Sequence, residues 1–99
     1  MIEYMGSIFD WDPVKMEANK KKHGIDFYEA ITIFNDMNHH VYEDEEHSDD
    51  EDRFIVIGYS EKNRILMACH CYRNGGNVTR IISARKATPY ERGIYENGG

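Results

Sequence analysis

The residues of this chain best equipped for chemistry lie in its last third, RIISARKATPYERGIY from Arg80 to Tyr95, where an apolar strand runs into a basic, helix-capping segment. That order places Arg80, Arg85 and Lys86 toward one strand end, ahead of a helix start whose dipole also attracts anions. Arg suits such a place because its planar fork engages two oxygens of one anion together. His23 and His47 add imidazoles that titrate near neutral pH, and a carboxylate such as Glu51 can do so where its environment disfavours the charge.

The overall charge runs against a polyanion partner. The chain has 12 Lys and Arg against 18 Asp and Glu, for a formal net charge of −6, whereas nucleic-acid binders are usually basic. Location resolves the conflict: 8 of the acids fall between Glu43 and Asp52, leaving 10 acidic and 12 basic residues elsewhere. A concentrated acidic run beside a separate basic ridge suits a polyanion on one face, or a basic partner protein on the other.

A metal centre is not spelled out. His39, His40, His47, Cys69, His70 and Cys71 form no CxxC or HExxH pattern, and on a strand Cys69 and Cys71 point away from His70. The reading is therefore no metal and no cofactor, with at most weak divalent binding at the acidic run.

Behind these side chains, 99 residues suffice for one domain, spanning 1–99, with a single modest core. The longest apolar runs, such as Ile65 to Cys69, fall far short of the ~20 residues of a membrane span. The first residues, MIEYMGSIFDWD, lack the basic start and apolar stretch of a secretory leader, which predicts a cytoplasmic protein with reduced cysteines.

The elements follow from punctuation and periodicity. Ser7 to Phe9 is a short first strand, and Asp12-Pro13 starts a helix that reaches about Lys22 and stops at His23-Gly24. Asp26 to Glu29 caps a second helix with Phe27, Ala30, Ile31 and Phe34 on its apolar face, ending near Asn35. His40 to Glu43, Phe54 to Tyr59, Ile65 to Tyr72 and Val78 to Ala84 read as strands, the last three a meander. Glu43 to Asp52 reads as a solvated, mobile loop, and Thr88 to Glu91 caps a helix over Pro89 to about Glu96. The predicted class is α+β in the order β-α-α-β-β-β-β-α, with the helices on one face of a mostly antiparallel sheet.

Three blocks carry a resemblance: FDWDPVKMEANKKKHGIDFYEA (Phe9 to Ala30), DEEHSDDEDRFIVIG (Asp44 to Gly58) and RIISARKATPYERGIY (Arg80 to Tyr95). In this order and spacing they resemble the BrnT family of bacterial type II toxins, which implies a RelE-like fold and a ribonuclease. The resemblance further implies metal-independent RNA cleavage by attack of a ribose 2′-hydroxyl on the adjacent phosphate, and through it inhibition of translation and growth. That reaction needs a proton acceptor, a proton donor for the leaving oxygen, and cations on the phosphate. Arg80, Arg85 and Lys86, joined by Arg53 and Lys22, are the candidate cations. His23, His47 and Glu51 are the candidates for proton transfer.

Each has a plainer alternative. Arg80 equally suits a cross-strand ion pair, His23 the closing turn of its helix, His47 a loop surface, and Glu51 a partnership with Arg53. The implied partners are RNA and a BrnA-like ribbon-helix-helix antitoxin that forms a hetero-oligomer with the toxin and alone touches DNA. The alternative is the same domain kept as a non-catalytic scaffold for an antitoxin or another protein.

Overall fold

Helix boundaries follow the capping chemistry of the chain. The computed structural model describes residues 1–97. Helix α1 spans Pro13–His23, with the Asp12 carboxylate accepting the Val14 N–H at 2.9 Å and Pro13 in the first turn. Gly24 ends it in the left-handed conformation at φ 73°, its N–H donating to the Lys20 carbonyl at 2.8 Å. Asp26 opens α2 (Phe27–Thr32) by accepting the Glu29 N–H at 2.8 Å, and a 3₁₀ turn continues it through Ile33–Asn35. Helix α3 (Pro89–Glu96) begins with a full capping box between Thr88 and Glu91.

Six strands form one sheet: β1 (Ile2–Tyr4), β2 (Ser7–Asp10), β3 (His40–Glu43), β4 (Phe54–Tyr59), β5 (Ile65–Arg73) and β6 (Val78–Lys86). Their spatial order is β1-β2-β6-β5-β4-β3, and every pair is antiparallel except β2 with β6, which run parallel. The mostly antiparallel α+β class is as predicted, and β4, β5 and β6 are the expected meander. Strand β1 is an addition to the predicted order. It is three residues long and folds back through Met5 and Gly6, both at positive φ, so a methionine shares the turn with a single glycine.

Strand β2 stops at Asp10, level with Arg80, and leaves the later edge of β6 open. Asn19 of α1 closes it. Its side-chain amide accepts the Ala84 N–H at 3.0 Å and donates to the Ala84 carbonyl at 2.8 Å and the Ile25 carbonyl at 2.9 Å. A side chain thus substitutes for a neighbouring strand, satisfying backbone groups that would otherwise be buried unpaired.

The helices do not share one face, contrary to expectation. Phe27, Ala30 and Ile31 of α2 pack with Phe9, Val56, Leu66, Ala68, Ile81 and Ala84. On the other face Ile94 and Tyr95 of α3 pack with Ile55, Ile57, Ile65 and Cys69. Because strand neighbours alternate sides, β4 and β5 are apolar on both faces and need a cover on each. No helix among the described residues is long and apolar enough to cross a membrane.

Candidate active site

Strand β6 carries the cations, and its register decides where they point. Arg80 and Arg85 are five residues apart, an odd separation that sends side chains to opposite faces of a regular strand. A bulge cancels this. Cys69 pairs with Ser83 and His70 with Ile81, so Ile82 is an extra residue on β6. Arg80 therefore lies opposite Cys71 and Arg85 opposite Met67, two β5 residues on the same face. Both arginines project from the α3 side. They do not share a strand end, because β6 runs on to Lys86: Arg80 is near its start and Arg85 and Lys86 are at its finish, with about 20 Å between the levels of Arg80 and Lys86 at strand rise.

Each arginine on that face is already paired. Arg80 Nη1 meets Asp10 Oδ2 at 2.9 Å, the cross-strand ion pair that its strand position allowed. Arg85 donates through its two terminal nitrogens to the Glu91 oxygens at 2.7 and 2.9 Å. Burial alone would raise the Glu91 pKa, but the Arg85 bonds and the Thr88 N–H outweigh it and hold the carboxyl below its ordinary range. These pairs fix the guanidinium orientations in advance. An incoming phosphate shares them with a carboxylate, and the residual positive field is modest.

The acidic run is a loop tied by local hydrogen bonds and touching β5 through Cys69 and Arg73. Asp44 N–H donates to the Arg53 carbonyl at 2.8 Å, Ser48 Oγ to the Asp44 carbonyl at 2.6 Å, and Arg53 N–H to Ser48 Oγ at 2.9 Å. His47, Glu51 and Arg53 line one cavity of ≈ 200 Å³ together with Asp49 and Asp50. His47 Nδ1 is 2.9 Å from Asp44 Oδ2, so the carboxylate orients the ring and leaves Nε2 facing outward. Glu51 partners Arg73 at 3.3 Å instead of Arg53, and the buried Arg53 Nε has no hydrogen-bond partner among the described residues. Asp44 Oδ2 lies 4.0 Å from Cys69 Sγ, one strand away from Ser83 and from the Arg80 end of β6. Burial, reinforced by the Asp44 charge, pushes the Cys69 thiol up to about 11. It stays a neutral thiol and is no nucleophile. Asp44, Glu46 and His47 also bring possible metal-ligand atoms within 4.8 Å of one another.

His23 and Lys22 belong elsewhere. Helix α1 leaves β2 level with Arg80 and has reached Ala84 by Asn19, so it advances alongside β6. His23, one turn beyond Asn19, arrives near the Arg85–Lys86 end. The predicted set thus splits into His47, Glu51, Arg53 and Arg80 at one end of β6, and Lys22, His23, Arg85 and Lys86 at the other.

Sequence reasoning missed three cations. Arg73 engages Glu51, while Arg64 and Arg92 line a cavity with Lys86. Arg64 is held by Glu29, which is 2% exposed and accepts from Arg64 Nε at 2.8 Å, Arg64 Nη2 at 2.6 Å and Ser60 Oγ at 2.6 Å. Arg92 sits inside the Arg80 to Tyr95 block and was legible there as one more cation. Arg64 gave no local signal, its partner being 35 residues away.

Residues 11–91 match the sequence family described as the ribonuclease toxin, BrnT, of type II toxin–antitoxin systems. Among solved structures, the Brucella abortus ribonuclease toxin BrnT shares this fold with a TM-score of 0.62 and 24% identity, over 83% of this chain and 97% of that one. No curated protein sequence matches.

Proposed function

The chain belongs to the BrnT family of ribonuclease toxins of type II toxin–antitoxin systems, with RNA as substrate and a cognate antitoxin as partner, and on that premise we propose that it cleaves RNA along β6 without a metal. The observation that carries this reading is the Ile82 bulge, which turns Arg80 and Arg85 to one face. Along that face the two guanidinium groups hold the RNA backbone at two points, their planar forks matching phosphate oxygens. Cleavage follows attack of a ribose 2′-hydroxyl on the adjacent phosphate. His47, its Nδ1 held by Asp44, takes the hydroxyl proton on Nε2, and Glu51 or a second imidazole returns a proton to the leaving oxygen. Arg53 and Arg80 offset charge gathering on the phosphate. Lys22, His23 and Lys86 bind the strand at the far end, too distant to form one acid–base pair with His47.

Cleavage of cytoplasmic RNA would stop translation and growth. The antitoxin partner is BrnA-like: a ribbon-helix-helix protein whose basic residues meet the acidic Asp44–Asp52 loop and close the His47 cavity. Strands β1 and β2 both precede the matched residues; the pairing of β1 with β2 and of β2 with β6 supports reading them as part of the same toxin domain.

The test is cleavage of end-labelled RNA by purified toxin in excess chelator, with His47→Ala and His23→Ala compared. The expected outcome is cyclic-phosphate products, a loss of about 10²-fold or more for His47→Ala, and a change within a few-fold for His23→Ala. Loss of cutting in chelator would sink the metal-independent reading. The reverse ranking of the two histidines would move the chemistry to the Lys86 end.

A further inference from the structure

Where β6 leaves the sheet, a cavity of ≈ 280 Å³ is lined by Tyr59, Asn63, Arg64, Lys86 and Arg92. Three of these are cations and none of the lining residues is acidic, in contrast to the loop cavity, where Asp49, Asp50 and Glu51 face Arg53 and His47. The two cavities lie toward opposite ends of β6, so the molecule is electrostatically polarised along that strand.

The cationic cavity is also built rather than incidental. Ala87 N–H donates to the Ile65 carbonyl at 3.0 Å and fixes its floor. Glu29 anchors Arg64 through Nε and Nη2, leaving its other terminal nitrogen without a partner among the described residues. Neither Lys86 nor Arg92 forms an ion pair among the described residues. At the rim Tyr59, 45% exposed, is braced edge-on by Tyr95 at 5.6 Å between ring centroids. One anchored and two exposed cations beside an exposed, supported aromatic ring are what single-stranded nucleic acid needs: charge for the backbone and a platform for one base.

We propose that this cavity is an RNA anchoring subsite, in which Arg64, Lys86 and Arg92 hold a backbone phosphate away from the scissile bond and Tyr59 stacks on an adjacent base. The inference rests on the RNA-cleaving reading above and adds a direction to it. RNA is gripped at the cationic end and laid along Arg85 and Arg80 toward His47. Binding energy gathered here offsets the repulsion that the acidic loop imposes at the other end.

The test measures binding separately from chemistry. A short, fluorescently labelled, 2′-O-methylated single-stranded RNA, which has no attacking hydroxyl, is titrated by anisotropy at several salt concentrations. Lys86→Gln/Arg92→Gln, both on the surface, should weaken binding at least tenfold and reduce the slope of log K against log salt by about 0.7, the value of one lost phosphate contact on a single strand. Tyr59→Leu should weaken binding severalfold with the slope unchanged. An unaltered slope and affinity in a double variant that melts like wild type would overturn the subsite. So would a double variant that binds RNA normally and loses the antitoxin, which would assign the cavity to an acidic protein segment. Cutting of unmodified RNA separates the two readings. If the subsite alone is wrong, the wild type still cuts; if the cleavage reading is wrong, the wild type does not cut while the salt effect persists.

Discussion

Glu91 is bonded to Arg85 and to its own helix cap at once. Its Oε1 accepts from Arg85 Nη1 at 2.7 Å and from the Thr88 N–H at 2.9 Å, while Oε2 takes Arg85 Nη2 at 2.9 Å. The start of α3 therefore already holds an anion, the Glu91 carboxylate, and that carboxylate fixes the Arg85 guanidinium in place of leaving an open helix terminus.

From this pair, Arg85→Ala should lower the single-turnover cleavage rate at subsaturating toxin by about tenfold, the loss of one charge-assisted contact to the RNA backbone. Arg85→Lys should recover little, because an ammonium cannot meet two oxygens in one plane. Glu91→Gln keeps the cap and weakens the grip, so its defect should be intermediate. Recovery to wild-type rate by lysine would refute the bidentate role.

Asn19→Ala exposes the stability held by one amide. It leaves the Ala84 N–H and carbonyl unpaired at a buried edge, a loss of about 2–4 kcal/mol. Urea unfolding should show a lower midpoint with an unchanged slope. A shift under about 0.5 kcal/mol would mean that water or a shifted strand replaces the amide.

Arg64→Met strands a buried carboxylate and should cost about 3 kcal/mol at neutral pH. The Arg64 bond, working against burial, lowers the Glu29 pKa, and Arg64 in turn is raised. A depressed carboxylate stabilises the fold above its unfolded value, near 4.5, and that contribution fades as pH falls through the folded value. The wild type should therefore lose stability on acidification below that point more steeply than Arg64→Met. Parallel acid limbs would remove Glu29 from the account.

His70 governs a milder range. Burial, with a smaller effect from His39, lowers its pKa from 6.5 to about 4, so the unfolded chain takes up its proton first. Stability is complete above pH 6.5 and falls as pH drops toward 4, by about 3 kcal/mol in all. His70 Nδ1 is buried without a partner among the described residues, and Phe34 and Phe54 flank the ring at 5.1 and 6.0 Å. His70→Phe should flatten this limb and leave stability at pH 7 equal or higher. An unchanged limb would show that another group titrates there.

Local chemistry made most elements legible. Asp12-Pro13, Gly24 and Thr88 to Glu91 marked helix ends that the structure reproduces to within a residue or two, because caps act over three or four residues. Strand β1 was missed because it is only three residues long and Gly6 is the one turn residue behind it, with Met5 filling the other positive-φ position. The opposite placement of α3 was available in FIVIGY and ILMACHCY, whose consecutive apolar residues demand cover on both faces. The partners of the site arginines were not available. Asp10 and Arg80 are 70 residues apart and Glu29 and Arg64 are 35 apart, and charge pairing over such separations leaves no periodic trace. The bulge at Ile82 was equally silent, which is why residue spacing alone assigned Arg80 and Arg85 no common face.

The parallel contact of β2 with β6 sets a schedule for synthesis. Residues 8–10 have no lateral partner on that side until residues 78–80 leave the ribosome, and closing so long a loop is slow. Arg85 emerges later, and Glu91, which aims it, later still. A ribosome making this chain therefore carries β2 unpaired with β6 through most of the synthesis of residues 1–91, and the Arg85–Glu91 pair forms only after both strands that flank β6 have been made.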